Sequence, residues 1–331
     1  MTSIAQEHAV AVEKGSSLWK DAALRLRRNR AASVSLVLLV IIFLACLVLP
    51  FIPGLLIDPN ALDLPNKNSG PNGKHWFGTD HLGRDIFSRV LYGGRITIAV
   101  GLITTTVSVT IGVCWGALAG YARGFVDDFM MRIVDILYAL PFLVIVILLG
   151  KTIEPATNEL TNSTVALIAG EGASVTKENE TRTWVEPITS LVPLFMAIGA
   201  LSWLTVSRIV RAQVRNVASM DFIEASRSLG IGHLKILFRH ILPNSLGPII
   251  VYTTLTIPSI MLFEATLSFL GLGVKPPNSS WGILISEGAD RMTANPWLLL
   301  FPSLFFATTL FALNFLGDGL RDALDPKSSK D

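Results

Sequence analysis

Long apolar runs separated by charged segments dominate this sequence. A helix needs about 20 apolar residues to cross the ~30 Å hydrocarbon core of a bilayer, and six runs approach or exceed that length. They are Ser33–Ile52, Ile96–Ala119, Ile133–Leu149, Leu191–Val210, Leu246–Leu272 and Trp297–Leu316. Because a helix satisfies its own backbone hydrogen-bonding groups in lipid, the runs predict an all-α integral membrane protein with six transmembrane helices.

Proline residues of the third and fifth predicted spans are candidate kink sites. The third span is short and carries Pro141, and the long fifth span carries Pro248 and Pro258. Proline removes one helical hydrogen bond and clashes with the preceding turn. We therefore expect kinks in both spans.

Lys and Arg residues are unevenly distributed across the two sides of this six-helix arrangement. Seventeen of the 27 lie on the side that holds both chain termini. Cytoplasmic loops usually carry the excess of Lys and Arg, so both termini are predicted to be cytoplasmic. The same rule places the loop between the fourth and fifth spans in the cytoplasm.

The spans divide the chain into four parts. They are a cytoplasmic N-terminal tail (1–32), the first span with an external segment (33–95), a core of five spans (96–318) and a cytoplasmic C-terminal tail (319–331). The core contains a polar external insertion at 151–190 and a cytoplasmic loop at 212–244. The sequence does not indicate what the insertion does.

Composition narrows the function classes. The 331 residues are 51% hydrophobic and only 16% charged, whereas about a quarter of a soluble domain is charged. The net charge of +2 gives no indication of a nucleic-acid partner. The five His and two Cys residues show no metal-ligand spacing, and no catalytic constellation or phosphate-binding loop is evident. We therefore predict no metal, no cofactor and no catalytic residues.

The loop segment DFIEASRSLGIGHLKILFRHILPN (Asp221–Asn244) has the pattern of two short helices. Asp221 is predicted to cap the first helix, with Glu224 reaching back in a capping-box arrangement. Gly230 is predicted to end that helix in a left-handed conformation. In the second helix an apolar stripe recurs at helical spacing through Leu234, Leu237, Phe238, Ile241 and Leu242. Pro243 and Asn244 are predicted to end the element.

Two interpretations of this loop follow from its residues. Two amphipathic helices can lie flat beneath the bilayer as an interfacial hairpin. Alternatively, the first helix protrudes into a groove on a partner protein and transmits that partner's movement to the spans.

Four motifs of the chain resemble signatures of the permease subunits of ABC importers, in the peptide/nickel branch. They are EASRSLG followed by HILPN (within 224–244), WFGTDHLGRDIFSRVLYGGR (76–95), FEATLSFLGLGVKPPNSSWG (263–282) and NFLGDGLRDALDP (314–326). Ser226 stands where the family signature has a second alanine. The insertion at 151–190 is not covered by the resemblance.

The resemblance implies the type I importer permease fold in a bacterial inner membrane. It implies a heterodimer with a second permease, two ABC ATPase subunits and an external substrate-binding protein, with di- or oligopeptides as substrate. In such permeases the loop docks onto the ATPase. The residues that match this coupling loop are Asp221, Glu224, Ala225, Gly230, Ile241, Leu242 and Pro243.

Three further groups of residues stand out within the spans. Glu264 lies in the fifth span, where a charge costs at least ~2.5 kcal/mol on insertion scales. It is interpreted either as a pathway or gate residue or as a helix-packing group, with Asn314 as a candidate partner. Gly112, Gly116 and Gly120 recur every four residues and predict a close helix-packing face.

Two alternative functions remain open. The same machine can carry nickel or another small solute, because substrate choice lies mainly in the binding protein. A self-sufficient ion-coupled carrier is the second alternative. Carriers of that class place ionisable groups at the membrane midplane and often contain repeated halves, whereas this chain offers only Glu264 and no evident repeat.

Overall fold

Twelve α-helices make up most of the protein in the computed structural model, which describes residues 18–52, 54–170, 174–275 and 278–324. They are α1 (Leu18–Arg28), α2 (Arg30–Val48), α3 (Ile86–Ala122), α4 (Gly124–Ala139), α5 (Phe142–Ala169), α6 (Val175–Thr189), α7 (Val192–Ala218), α8 (Asp221–Ser228), α9 (His233–Ile236), α10 (Leu242–Phe269), α11 (Trp281–Ala289) and α12 (Trp297–Leu324). Within the described ranges, the β-structure consists of one isolated bridge between Thr79 and Asp85. The predicted all-α class is confirmed.

Within the described part of the chain, five helical segments are long and apolar enough to cross a membrane. They are Arg30–Phe51, Ile86–Ala122, Val192–Ala218, His233–Phe269 and Trp297–Leu324. Together, α4 and α5 supply the sixth candidate span, but they meet at a bend of 92°. The predicted third span, Ile133–Leu149, therefore contains this bend and is not one straight helix. Pro141 disfavours the helical region for Leu140, which is extended (φ −81°, ψ 144°) and ends α4.

The helices extend beyond the predicted spans at several places. The side chain of Asp85 accepts a hydrogen bond from the Ser88 amide and starts α3 ten residues before Ile96. The same helix therefore includes the last ten residues of the external segment, which lead into the second predicted span. Half of the polar insertion at 151–190 continues α5, and α6 packs beside it. Both Pro248 and Pro258 lie inside α10, which runs through them without a break.

The most extensive helix packing joins α3 to α7. A Cβ atom added to Gly112 would lie 2.6 Å from Cβ of Val206, and one added to Gly116 would lie 2.4 Å from the carbonyl oxygen of Ser207. Gly120 approaches the carbonyl oxygen of Arg211 in the same way. The three glycines, which we call the glycine face, therefore allow the two backbones to approach where any side chain would keep them apart.

The bundle has two distinct ends. At the end that we call the α8 end, Gly319 in the C-terminal part of α12 packs against Ala32 at the start of α2 and against Leu26 of α1, and α8 adjoins α7. At the opposite end, the α11 end, the guanidinium of Arg95 on α3 donates to the carbonyl oxygens of Cys46 and Leu47 on α2. The C-terminus of α10 and the start of α12 also lie there.

Candidate functional site

The short helix α8 ends as its sequence predicts. Gly230 has φ +74° and follows the C-cap residue Leu229. The Gly230 amide donates to the Arg227 carbonyl (2.9 Å), and the Ile231 amide donates to the Ser226 carbonyl (3.2 Å). This pair of hydrogen bonds is the Schellman motif. Because a residue with a side chain is disfavoured at such a φ value, Gly230 fixes the direction in which the chain leaves α8.

The predicted capping box at the start of α8 is wrong. Met220 is the N-cap residue, and no side chain caps the helix there. Asp221 is the first helical residue, so it cannot occupy the capping position. Asp221 and Glu224 are both exposed in the first turn, where carboxylates interact favourably with the helix dipole.

The predicted end of the second loop helix at Pro243 is also wrong. After α9 the chain forms a π-helical turn over Leu237–Ile241 and continues directly into α10. The Leu242 amide donates to the Leu237 carbonyl, five residues back. Proline provides no amide for the helical ladder and crowds the turn before it, and the π turn lies in the segment directly before Leu242 and Pro243. Pro243 thus lies inside one long helix.

The loop divides its apolar residues between a buried set and an exposed set. Ile223, Ile236, Leu237 and Ile241 are buried and join a core cluster with Val214 of α7. The exposed set consists of Met220, Phe222, Leu229, Leu234 and Phe238, with 42–79% of each residue exposed. The stripe predicted from helical spacing is therefore split, with Leu234 and Phe238 exposed and Leu237 and Ile241 buried. We call the exposed set the loop apolar surface.

The predicted coupling residues differ in their exposure. Asp221, Glu224, Ala225, Gly230 and Pro243 are exposed, Leu242 is half-buried and Ile241 is fully buried. The hydroxyl of Tyr121 on α3 lies 2.8 Å from Nδ1 of His233 and connects the loop to the bundle from a second side. The loop is thus held firmly by its buried residues while its polar and apolar exposed residues face outward.

Glu264 and Asn314 are not brought together. Glu264 is completely buried, and its Oε1 atom accepts hydrogen bonds from the hydroxyls of Ser268 (2.8 Å) and Ser280 (2.6 Å). Asn314 is exposed and donates to the Leu310 carbonyl of its own helix. The suggested pairing of the two residues is therefore wrong. Glu264 instead joins α10 to the N-cap residue of α11.

Comparison with known sequences identifies the family. The profile described as "Binding-protein-dependent transport system inner membrane component" matches residues 112–330, and "N-terminal TM domain of oligopeptide transport permease C" matches residues 17–71. The chain belongs to this binding-protein-dependent permease family. It therefore has the type I ABC importer permease fold and is a multi-pass inner membrane protein.

Several named relatives of this permease match over nearly the whole chain. The oligopeptide transport system permease protein OppC of Escherichia coli K12 is 42% identical over 95% of this chain and 93% of its own length. OppC of Haemophilus influenzae is 40% identical over 95% and 90%. The dipeptide transport system permease protein DppC of Bacillus subtilis is 36% identical over 94% and 86%.

A buried ion cluster at the α11 end of this permease was not predicted from the sequence. The Asp80 carboxylate accepts hydrogen bonds from the amides of Leu82 and Arg84 and from the guanidinium groups of Arg84 (2.6 Å) and Arg89 (3.0 Å). Arg89 also pairs with Glu287 on α11 at 2.8 Å. Burial alone would raise the pKa of Asp80, but the charges of Arg89 and Arg84 and the amide hydrogen bonds outweigh it and lower that pKa. Asp80 and Arg89 both belong to the motif at 76–95. Their spacing in that motif is the one sequence signal that could have indicated the cluster.

The motif at 263–282 fixes α11 against α3 through Trp281. Trp281 is completely buried, its amide donates to Oγ1 of Thr97 (3.0 Å) and its indole donates to the Val90 carbonyl (2.8 Å). The signature residues at 76–95 and 263–282 therefore meet at the α11 end. Among the residues that the structure describes, no group of three or more His, Cys, Asp or Glu side chains forms a metal site.

Proposed function

We propose that this chain is the transmembrane permease subunit of an ATP-driven importer that translocates di- or oligopeptides delivered by an external binding protein. The observation that carries the proposal is its 40–42% identity, over about 95% of its length, to permeases named for oligopeptide transport. The chain provides a gated pathway, and ATP is hydrolysed on separate subunits.

The 212–244 loop supplies the contact with those ATPase subunits in this proposal. Its buried residues fix it to α7, and the loop apolar surface and the acidic first turn of α8 remain available to a partner. Exposed apolar side chains grouped with polar ones are typical of protein contact sites. We assign Asp221, Glu224, Ala225 and Gly230 to this contact, and Ile241, Leu242 and Pro243 to the anchoring of α8 on α10.

The α8 end is assigned to the cytoplasm. The distribution of Lys and Arg favours both termini and the 212–244 loop on that side, and ATPase subunits require the loop to be there. The insertion at 151–190 and the α11 end are then external, where a binding protein would dock.

Glu264 is assigned a packing role in this account. Its complete burial and its two serine hydrogen bonds support a contact between α10 and α11. A gate residue would have to reach the pathway during part of the cycle, and transport measurements on Glu264 variants separate the two roles.

Reconstitution tests the proposed function. The chain is purified with a second permease and two ATPase subunits, and ATP-dependent uptake of a labelled oligopeptide is measured in proteoliposomes that receive the binding protein. We expect uptake only with all components and ATP. Peptide uptake by this chain alone, driven by an ion gradient, would establish the carrier class instead. Uptake of nickel without peptide uptake would establish the other substrate class.

A further inference from the structure

A cavity of about 420 Å³ lies between α5, α6, α7 and the turn that follows α10. The insertion that the family signatures do not cover builds one of its walls. Its volume falls in the range of about 300–1,000 Å³ that is common for small-molecule sites. Apolar side chains, among them Ile147, Leu194 and Leu267, line it together with charged and amide side chains.

Polar contacts hold the walls of this cavity together. The hydroxyl of Thr161 on α5 donates to Oγ1 of Thr189 at the end of α6 (2.6 Å). The guanidinium of Arg182 on α6 donates to Oδ1 of Asn162 on α5 (2.9 Å). Lys275, in the turn after α10, pairs with Glu154 on α5. These cross-links make the cavity a formed feature of the fold.

The charges around the cavity include both signs. Lys151, Arg182 and Lys275 supply positive charge, and Glu154 and Glu186 supply negative charge. Glu154 is engaged by Lys275 and lies 3.5 Å from Lys151. One carboxylate between two ammonium groups leaves excess positive charge on that wall. Glu186 is exposed on the opposite helix, α6.

We propose that this cavity binds a short peptide with free termini. The carboxylate of the peptide is held by Lys151 and Lys275, its ammonium group by Glu186, and its amide groups by the Asn158 side chain. Such charge-assisted hydrogen bonds are stronger than neutral ones, and the apolar lining accepts small side chains without selecting among them. The inference rests on the proposed peptide-transport function for its class of ligand.

Gly150 provides a way to fill the cavity without changing its charges. It lines the cavity from α5, and a Cβ atom added there meets no atom within 4 Å. Gly150→Leu should therefore place its side chain in the cavity without displacing the backbone. Gly150→Ala is the matched control, because it makes the same helical change with almost no added volume.

The test is equilibrium binding of labelled trialanine to the full purified chain in lipid nanodiscs. We expect saturable binding that weakens about tenfold when the peptide is N-acetylated, as the loss of one charge-assisted contact implies. Glu186→Gln should weaken binding of free trialanine by a similar factor and leave binding of the N-acetylated peptide unchanged. Gly150→Leu should abolish binding, whereas Gly150→Ala should retain it.

Three outcomes would overturn the proposal. They are no saturable binding to the wild-type chain, equal binding of free and N-acetylated trialanine, or normal binding to a folded Gly150→Leu variant. If Gly150→Leu does not fold, the Glu186→Gln variant decides. The proposal then requires this variant to bind free trialanine more weakly than wild type and to bind N-acetylated trialanine as strongly as wild type. ATP-dependent uptake by the assembled transporter is measured separately. Uptake without binding to the isolated chain refutes the cavity site alone, and binding without uptake refutes the transport function alone.

Discussion

The carboxylate of Asp127 and the guanidinium of Arg211 form a two-point ion pair between α4 and α7. Nε and Nη2 of Arg211 lie 2.5 and 2.7 Å from the two carboxylate oxygens. Arg215, one turn further along α7, lies 3.0 Å from the same carboxylate. Asp127 is completely buried, so this contact fixes the first turn of α4 on α7.

Removal of the Asp127 carboxylate should destabilise the bundle. Breaking a buried ion pair by deleting one partner costs about 3–5 kcal/mol, and the partial exposure of both arginines places the expected loss for Asp127→Ala near the lower value. Asp135→Ala is the matched control, because Asp135 pairs with Arg208 on the same two helices but is 60% exposed. Thermal unfolding of the purified variants should show a large loss for Asp127→Ala and a small one for Asp135→Ala. Equal losses would contradict this account of the pair.

The glycine face should not tolerate a single added methyl group. Gly116→Ala places Cβ 2.4 Å from the Ser207 carbonyl oxygen, and overpacking of this kind typically costs about 1–3 kcal/mol. Gly199 lies on the same α3–α7 interface, but its added Cβ would lie 3.7 Å from Thr104 and Val107. We therefore expect Gly116→Ala to lower the unfolding temperature and Gly199→Ala to leave it nearly unchanged. The prediction fails if the two variants unfold alike.

Substitutions of Glu264 separate packing from gating. Glu264→Gln keeps an oxygen that accepts hydrogen bonds from Ser268 and Ser280, so stability and peptide uptake should stay near wild type. Glu264→Leu deprives both hydroxyls of that acceptor, and an unsatisfied buried group costs about 1–3 kcal/mol. The unfolding temperature and the ATP-dependent peptide uptake of the reconstituted transporter are measured for both variants. Loss of uptake by a stably folded Glu264→Gln variant would show that the carboxyl acts in the pathway.

The Asp80 cluster should make stability sensitive to acid. The pKa of Asp80 is lowered in the folded chain, whereas an unfolded Asp has a pKa of about 3.9. Its contribution to stability is therefore complete above that value and is lost as pH falls through the lower folded pKa. Thermal unfolding between about pH 6 and pH 2 should show a smaller loss of stability for Asp80→Asn than for wild type. Parallel pH profiles would contradict the assignment.

Features that depend on local spacing could be predicted from the sequence. Apolar length located the spans, and four-residue recurrence of glycine pointed to a packing face. The left-handed Gly230 followed from its position after a short helix, because few other residues adopt that conformation without strain. Each of these properties is determined by residues within one or two helical turns of each other.

Features that depend on distant partners could not be predicted in the same way. Asp127 and Arg211 are 84 residues apart, and Glu264 meets Ser280 across a turn that no periodicity describes. The π turn before Pro243 was missed because proline permits either the end of a helix or a local widening, and packing of Ile236 and Ile241 against α7 decides between them. The bend at Pro141 similarly depends on how α4 is held on α7.

Coupling through the 212–244 loop is the central claim, and one pair of glycine variants tests it most directly. Gly230 has φ +74°, and a residue with a side chain would cost about 1–2 kcal/mol there. Gly232 is the N-cap residue of α9 at φ −62°, ψ 145°, which any residue adopts. Neither position has an atom within 4 Å of an added Cβ, so the two differ in backbone conformation and not in space.

The measurement is co-purification of the ATPase subunits with Gly230→Val and Gly232→Val, alongside membrane abundance and ATP-dependent peptide uptake. Both variants should be present in the membrane at normal abundance, because an added Cβ at either position meets no atom of the bundle within 4 Å. We predict that Gly230→Val loses ATPase association and uptake, that Gly232→Val retains most of both, and that Glu224→Ala is milder than Gly230→Val. Normal ATPase association and normal uptake with Gly230→Val would contradict the account.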